Sequence, residues 1–310
     1  TVDVIVENFK AGTMHRRGLD YEALRKLKPD LIYCSITGYG QSGPKAGEAA
    51  YDGAIQASSG MMSQNGHPET GPTRTGYMPV DMSTALNSAF AISAALYRKA
   101  TTGEGQHIDV AMLDTAIIMQ AAQFSNYLNQ GTLIGLRGNA SPTGQPTANV
   151  FPTMDGHIQI TALRQPQVEK LFTELGLEQM LKDEKFATPD SRINHPEVIF
   201  DAMAQALNRQ TTQAWMKQLA PVGIPVAEVR DLEEVASDPD IPHRNALVTL
   251  PSPLDPAATV TVAKAGYVTN VDGPKVRSGP PMLGADTDDI LAELGFDAGE
   301  IQHLRMTGVI

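Results

Sequence analysis

The 310-residue chain has a single cysteine, Cys34, so no disulfide can form within it. It contains no run of 18 apolar residues, the length that a membrane-spanning helix needs, and no basic and apolar leader before its first predicted strand. Its seven histidines are scattered and show no HExxH or CxxC-type spacing. We therefore expect a cytoplasmic protein with no membrane partner and no metal site.

Positive charge is also scarce, with 24 Lys and Arg against 35 Asp and Glu and a formal net charge of -11. This balance disfavours a nucleic-acid partner, which binds through a basic surface. An anionic small ligand would need local cations to offset the general field. The cations in suitable loops and turns are Lys10, Arg16, Arg17, Arg74 and Arg137.

The beginning of the chain has the pattern of a parallel α/β sheet. Apolar periodicity predicts a buried strand over 1–6, a helix over 21–28 that ends before Pro29, and a strand over 31–36. Cys34 lies in that second strand, where a cysteine behaves as a small hydrophobe; a catalytic thiol is the alternative. Gly38 to Pro44 follow it, at the end of a strand where open parallel sheets bind ligands. Their glycine spacing does not fit a dinucleotide fingerprint, so a nicotinamide cofactor is rejected.

Further along, the pattern predicts a large α/β domain over 1–130, a linker or active-site loop over 131–150, a smaller α+β domain over 151–235 and a return segment over 236–310. Asp155-Gly156 predicts a hairpin turn. The predicted helices cover 51–60, 83–99, 114–129, 167–175, 197–207, 212–220 and 286–294; the predicted strands cover 106–112, 151–163, 224–227 and 258–268.

Asp81 is the most informative residue, because it follows a loop rich in Gly, Pro and Thr and precedes the long helix predicted over 83–99. An aspartate at a helix start can simply cap the helix. The segments around it are more specific: VENFKAG, TGYGQSGP, YDGAIQASSG and TGEGQHIDVAMLD, then FPTMDGHIQIT, APVGIPVAEVRDLEEVASDP and GPPMLGADTDDILAELGF. In this order, along nearly the whole chain, they resemble the family III CoA-transferases of the CaiB/BaiF type.

The resemblance implies a fold and an assembly. The fold is α/β, with an open Rossmann-like parallel sheet in the large domain, a smaller α+β domain and a last segment that returns to the large domain. The partner is a second copy, in an interlocked homodimer. Members of the family carry further strands and helices, with CoA contacts, before the position of Thr1, so we expect this chain to lack the family's N-terminal part.

The resemblance also implies roles for individual residues. Asp81 matches the catalytic aspartate, and the other matching positions form three groups. The CoA nucleotide would contact Asn8, Phe9 and Lys10, with Arg16 on a phosphate; the pantetheine and thioester would contact Ala49, Ala50, Tyr51 and Asp52; an active-site loop would contain Gly138, Asn139, Ala140 and Gly144. One family member has lysine in place of Ala49. Ser, Pro and Thr replace several glycines of the loop here, which predicts a stiffer loop, and a plain linker is the alternative.

The implied reaction moves CoA from an acyl-CoA donor to a carboxylic acid. Asp81 would attack the thioester to give a mixed anhydride, and the released thiolate would convert it to an aspartyl-CoA thioester. Amides at the helix start after Asp81 would stabilise the oxyanions. No tightly bound cofactor is needed, and CoA enters as a substrate. The family suggests small di- or hydroxycarboxylic acids such as oxalate, formate, succinate or malate, or a carnitine-like acid, with succinyl-CoA or acetyl-CoA as donor.

Two alternative hypotheses about the function remain. The related α-methylacyl-CoA racemases pair a histidine at the position of Tyr51 with the aspartate, because two acid-base groups must serve opposite faces of the substrate. Tyrosine titrates near pH 10 and is a poor base at neutral pH, which favours transfer over racemisation. The other reading is a noncatalytic CoA-binding protein or subunit.

Overall fold

The structure, a computed structural model, describes residues 2–255 and 257–310. Thr1, the first residue of the first predicted strand, lies outside them. The chain divides into two compact units, Thr1–Glu228 and Val229–Ile310. Among the described residues, no helix combines the length and apolar character that crossing a bilayer requires. The domain boundaries predicted from the sequence stay predictions.

Strands and helices alternate in the first part of the chain, and the later part is mainly helical. The strands are β1 (Val4–Glu7), β2 (Ile32–Thr37), β3 (Gly66–His67), β4 (Gly71–Pro72), β5 (Gln106–Ala111), β6 (Ala148–Pro152), β7 (His157–Thr161), β8 (Val226–Glu228), β9 (Leu247–Pro251) and β10 (Thr259–Ala263). The helices to residue 130 are α1 (Thr13–Arg16), α2 (Tyr21–Leu24), α3 (Asp52–Ser58), α4 (Pro79–Thr102), α5 (Met112–Met119) and α6 (Ala121–Gln130). The later helices are α7 (Gln165–Leu175), α8 (Glu184–Ala187), α9 (Pro189–Ile193), α10 (Pro196–Leu207), α11 (Thr212–Leu219), α12 (Leu232–Ala236), α13 (Asp240–Arg244), α14 (Thr287–Glu293) and α15 (Ala298–Met306).

A parallel sheet in the order β1-β2-β5 organises the first unit. Val6 pairs with Cys34, and Cys34 pairs with Ile108 on the other side. The parallel arrangement predicted from the sequence is confirmed. The predicted burial of the first strand is wrong, since Val6 is 53% exposed. Within the described chain, β1 pairs on one edge only, whereas β2 pairs on both edges and is buried.

Gly105 lets the chain enter β5 close to the start of β2. A Cβ built on Gly105 would overlap the carbonyl oxygen of Leu31, a backbone atom that cannot rotate away. We expect Gly105→Ala to lower the free energy of unfolding by about 3 kcal/mol, the upper end of the usual cost of overpacking. Gly135→Ala is the matched control, because a Cβ there meets no atom within 4 Å. Denaturant unfolding of both variants checks this, and equal midpoints would contradict the close approach.

Helices α3, α4 and α5 pack together through a small core of Ile55, Val80, Met112 and Ala116. The long helix α4 begins at Pro79, four residues before the predicted start, because proline supplies a helical φ at the first position. The helix predicted over 114–129 is divided at Gln120, whose backbone leaves the helical region. The Gln120 amide donates to the carbonyl oxygens of Ser59 and Ala116, which holds this break against α3.

A second core lies in the later part of the same unit. The antiparallel sheet β6-β7-β8 packs with α7, α10 and α11 around buried aromatic and aliphatic side chains such as Phe151, Phe172 and Trp215. The hairpin turn at Asp155-Gly156 is confirmed, and so is the strand near 224–227, which pairs with β7 on one edge.

The second unit contains the antiparallel hairpin of β9 and β10 and the helices α12, α13, α14 and α15. The sequence predicted β10 and α14 but not β9, α12, α13 or α15. The surrounding Pro- and Gly-rich composition obscured the alternating pattern of β9. A capping box formed by Asp297 and Glu300 starts α15, and this local signal was missed.

Candidate active site

A cleft of about 620 Å³ opens at the carboxyl ends of all three parallel strands. The residues that follow β1, β2 and β5 contribute to its wall, as does the first part of α4. The lining consists of Asn8, Phe9, Lys10, Ala11, Ile36, Thr37, Gly38, Tyr39, Gly40, Gly47, Glu48, Ala49, Ala50, Tyr51, Asp81, Thr84, Ala85 and Met112. Parallel sheets bind ligands at this edge because the loops after the strands converge there.

One wall of the cleft is formed by Asn8, Phe9 and Lys10, directly after β1. The Asn8 amide donates to the carbonyl oxygen of Ile36 at 2.7 Å, which fastens this turn to the end of β2. Phe9 is 56% exposed and offers an aromatic face. Lys10 is exposed and has no ion pair to any described residue. The wall therefore presents an aromatic ring and a free cation.

A second wall is formed by residues 49–51, just before α3. Tyr51 is the N-cap residue of α3 and is 82% exposed. Ala50 packs so closely on Gly38 that a Cβ on Gly38 would overlap the Cβ of Ala50. The glycine after β2 thus sets how near this wall lies to the sheet.

Asp81 lies between these walls, in the first turn of α4. Its carboxylate makes no hydrogen bond or ion pair to the residues that the structure describes. It does not cap α4, so the simple explanation for an aspartate at a helix start fails here. The side chain is an exposed acid that faces the cleft.

The first backbone N–H groups of α4 instead donate to Asp52, a residue of α3 that is only 6% exposed. One oxygen of the Asp52 carboxylate accepts from the backbone N–H of Val80 at 2.8 Å and of Asp81 at 3.0 Å. Met82, the residue after Asp81, donates its N–H to the carbonyl oxygen of Met78 at 3.1 Å. The expectation that the helix start after Asp81 supplies oxyanion donors is therefore wrong, because these N–H groups already have acceptors.

Two effects raise the pKa of the Asp81 carboxyl: partial burial in the cleft wall first, and the neighbouring Asp52 carboxylate second. A raised pKa makes the ionised carboxylate a stronger base and nucleophile, while it stays ionised only above that value.

If Asp81 acts as the carboxylate, the activity of the protein is complete at high pH and declines as the pH falls through the raised pKa of Asp81. We expect the acid limb of kcat/KM to lie above about pH 3.9, the ordinary aspartate value. A pH profile on protein shown to stay folded checks this, and a limb at or below that value would contradict it.

Several residues predicted for the site do not line the cleft. Arg16 lies in α1 and donates to the Thr13 hydroxyl, and Asp52 is beneath the wall rather than on it. The loop residues Gly138, Asn139, Ala140 and Gly144 are also absent from the lining.

The predicted active-site loop instead lies on the hairpin of β3 and β4. The Gly138 N–H donates to the carbonyl oxygen of Gly66 at 2.8 Å, and a Cβ on Gly138 would overlap the His67 ring. Gly138 also has a φ of 58°, which favours glycine. The loop is thus held against the hairpin of β3 and β4 by this hydrogen bond and this close contact.

Several lining residues were not predicted from the sequence. Thr84 and Ala85 are the first of these, and Thr84 follows Asp81 at the i+3 spacing that places side chains on one helix face. Met112 follows β5 as Gly38 follows β2, so its position after a parallel strand was the available signal.

Cys34 lies at the centre of β2 and is fully buried. Burial raises the pKa of its thiol, so it is not a reactive thiolate, and the small-hydrophobe interpretation holds. Among the described residues, no three His, Cys, Asp or Glu side chains are grouped as metal ligands.

Known proteins match this chain along nearly its full length. The sequence model of the CoA-transferase family III matches residues 1–287. A succinate–glutarate CoA-transferase of Agrobacterium fabrum is 34% identical over 294 residues, which cover 95% of this chain and 73% of that protein. An acetyl-CoA:oxalate CoA-transferase of Acetobacter aceti is 32% identical over 282 residues, covering 91% of this chain and 71% of that protein.

The fold agrees with these sequence matches. The crystal structure of a CaiB/BaiF family protein from Brucella suis superposes with a TM-score of 0.82 and 34% sequence identity, covering 94% of this chain and 75% of that one. A family model that spans most of the chain, relatives above 30% identity and a shared fold identify the protein as an enzyme of the CoA-transferase class, and the chain belongs to the CoA-transferase family III.

Proposed function

We propose that this protein transfers CoA from an acyl-CoA to a carboxylic acid, with Asp81 as the covalent carrier. One observation carries the proposal: the Asp81 carboxylate faces the cleft without a hydrogen-bond or ion-pair partner among the described residues. An acid left in this position at the ligand edge of a parallel sheet is available to attack a thioester.

In the first half of the reaction, a carboxylate oxygen of Asp81 attacks the thioester carbonyl carbon, and the C–S bond breaks. The products are a mixed anhydride on Asp81 and the CoA thiolate. The thiolate then attacks the Asp81 carbonyl carbon of the anhydride and expels the donor acid as its carboxylate. An aspartyl-CoA thioester remains on the enzyme.

In the second half, the incoming acid attacks the aspartyl-CoA carbonyl with a carboxylate oxygen and releases the thiolate. The thiolate attacks the acceptor's carbonyl in the new mixed anhydride, so that the acceptor leaves as its CoA ester and the Asp81 carboxylate is restored. Each step exchanges one anion for another, so this chemistry requires neither a redox change nor a general base.

Each attack creates an oxyanion that needs N–H donors. Since Asp52 accepts the first amides of α4, the donors must lie elsewhere. The first backbone amides of α3, at Asp52 and Gly53, follow Tyr51 on the cleft wall and have no acceptor within their own helix. These amides are the donors that fit the proposed reaction.

The wall after β1 fits the proposed CoA site. The exposed Phe9 ring can stack on an adenine, and Lys10 can neutralise a phosphate in a protein that is otherwise acidic. Arg16, in the next turn of the chain, would bind a further phosphate from outside the cleft. Residues 49–51 would contact the pantetheine and the thioester, and the loop over 138–144 would cover the acyl group.

The acids are proposed from the two named relatives, which act on succinate and glutarate or on oxalate. We propose a small dicarboxylate acceptor with succinyl-CoA or acetyl-CoA as donor. The test incubates the protein with each donor and a panel of mono-, di- and hydroxycarboxylic acids and separates the CoA esters by chromatography. New CoA esters that depend on the enzyme support the proposal; bound CoA without any exchange would favour a noncatalytic CoA-binding protein.

Racemisation is the alternative that Tyr51 disfavours, because no imidazole is present at this position of the wall. A 2-methylacyl-CoA incubated in D₂O distinguishes the two reactions. We expect no enzyme-dependent deuterium at the α-carbon, and rapid incorporation without acyl exchange would support the racemase.

We also propose that the protein acts as a homodimer. One face of α4 exposes large apolar side chains at helical spacing: Met82, Leu86, Phe90 and Tyr97. Such a face needs a covering surface, and a second copy is the partner we propose. We expect a dimer in sedimentation experiments and a weakened one for Phe90→Asp; a wild-type monomer would contradict the proposal. The interlocked arrangement and the cytoplasmic location stay predictions.

A further inference from the structure

We infer that Asp52 is a positioning residue that fixes Asp81 relative to the thioester wall of the cleft, the wall of residues 49–51 that would contact the thioester. The inference rests on the proposed function. It changes the role expected for Asp52, whose buried carboxylate lies below the cleft surface and would not contact CoA.

The geometry of the first turn of α4 supports this role. A helix leaves its first four N–H groups without intrahelical acceptors. In α4 the N-cap residue, Met78, provides no side-chain cap, and Pro79 has no N–H. The next two N–H groups, those of Val80 and Asp81, both donate to one oxygen of Asp52. A single carboxylate from another helix therefore holds the peptide that carries the nucleophile.

The other Asp52 oxygen accepts from the Gln56 side-chain amide, one turn later in α3. Gln56 is 1% exposed, and its oxygen accepts from the Thr75 N–H at 3.1 Å while its nitrogen donates to the Thr75 hydroxyl at 3.0 Å. This network connects α3 to the loop that leads into α4. It limits rotation of the Asp52 carboxylate and movement of the loop together.

Asp52 also directly follows Tyr51, the last residue of the thioester wall. Its backbone continues directly from that wall, and its side chain holds the start of α4. One residue thus sets the separation between the bound thioester and the Asp81 carboxylate. The charge of Asp52 adds to the effect of burial in raising the pKa of Asp81. The fixed separation and the raised pKa both affect the rate at which Asp81 attacks the thioester rather than the affinity for CoA.

Asp52→Ala removes the acceptor, and Asp155→Ala is its matched control. Asp155 accepts from the backbone N–H of Thr212 at 2.7 Å, so it also holds the first turn of a helix, α11, from another element, but outside the cleft. We expect Asp52→Ala to lower kcat by about 100-fold, the effect of a misplacement near 1 Å, with KM for acyl-CoA close to the wild-type value. Asp155→Ala should leave kcat unchanged.

Rescue tests the hydrogen-bond role. In Asp52→Asn alone, the new side-chain amide nitrogen would face the amide nitrogen of Gln56, and two donors would oppose each other. The substitution is therefore combined with Gln56→Glu. This double variant keeps an acceptor oxygen for both N–H groups and one negative charge in the pair. We expect it to recover most of the lost kcat. Hydrogen exchange of the peptide containing residues 78–84 should be faster in Asp52→Ala and close to wild type in the double variant.

The outcomes separate this inference from the proposed function. If wild-type protein forms an adduct on Asp81 and Asp52→Ala keeps its kcat and its exchange rates, the inference is overturned and the proposed function stands. A double variant as slow as Asp52→Ala also overturns it. If the wild type forms no adduct on Asp81 with any acyl-CoA, the proposed function fails and this inference fails with it.

Discussion

Asp81→Asn will abolish CoA transfer while the protein stays folded. The substitution replaces a carboxylate oxygen by an amide nitrogen of the same shape, so the mixed anhydride cannot form. Loss of a covalent nucleophile typically costs several powers of ten, and we expect kcat to fall by at least about 10³-fold. Binding of CoA should persist, because Asp81 is only one of the many residues that line the cleft. Steady-state kinetics and CoA titration measure the two effects.

Asp114→Asn is the matched control for this substitution. Asp114 is also an exposed acid in the first turn of a helix, α5, but it does not line the cleft. We expect wild-type kinetics for this variant. An Asp81→Asn protein with more than a few per cent of wild-type transfer would show that another group carries CoA.

The second large effect is expected at Gly38. A Cβ at this position would overlap the Cβ of Ala50, so Gly38→Ala must displace the wall that contains Tyr51. A shift of about 1 Å at a reacting centre can cost 10²-fold, and we expect a loss of this order in kcat/KM. The same crowding should lower the free energy of unfolding by about 1–3 kcal/mol. Kinetics and denaturant unfolding of the variant measure the two losses.

Removing the opposing methyl group should reverse that loss. In Gly38→Ala with Ala50→Gly the added Cβ occupies the space that the other Cβ leaves, and the two residues are in direct contact, so their effects should not add. We expect the double variant to recover most of kcat/KM. A double variant as impaired as Gly38→Ala would mean that the contact between these residues does not set the position of the wall.

Local patterns predicted much of the fold. Apolar periodicity located β2 and β5, and the turn chemistry of Asp155-Gly156 located the hairpin of β6 and β7. Position relative to strand ends indicated that Gly38 would lie at the ligand edge of the sheet. These features depend on residues close together in the sequence, which is why the sequence reveals them.

Features that depend on distant contacts were not predictable in this way. The break at Gln120 is held by a bond to Ser59, 61 residues away, and the first turn of α4 is held by Asp52, 28 residues before Val80. The resemblance to a family selected Asp52 as a ligand contact, whereas its carboxylate is buried and accepts from the backbone N–H groups of Val80 and Asp81. No spacing rule within α4 could have shown that its cap comes from α3.

Detection of the proposed covalent intermediate on Asp81 is the most direct test. The protein is mixed with succinyl-CoA or acetyl-CoA, with and without hydroxylamine, and the intact mass and the peptide containing Asp81 are measured by mass spectrometry. We expect a CoA-sized adduct that hydroxylamine converts to a hydroxamate on Asp81, with release of CoA, and neither product in Asp81→Asn. Measurable CoA binding without an adduct for any donor would contradict the proposed role of Asp81 as covalent carrier.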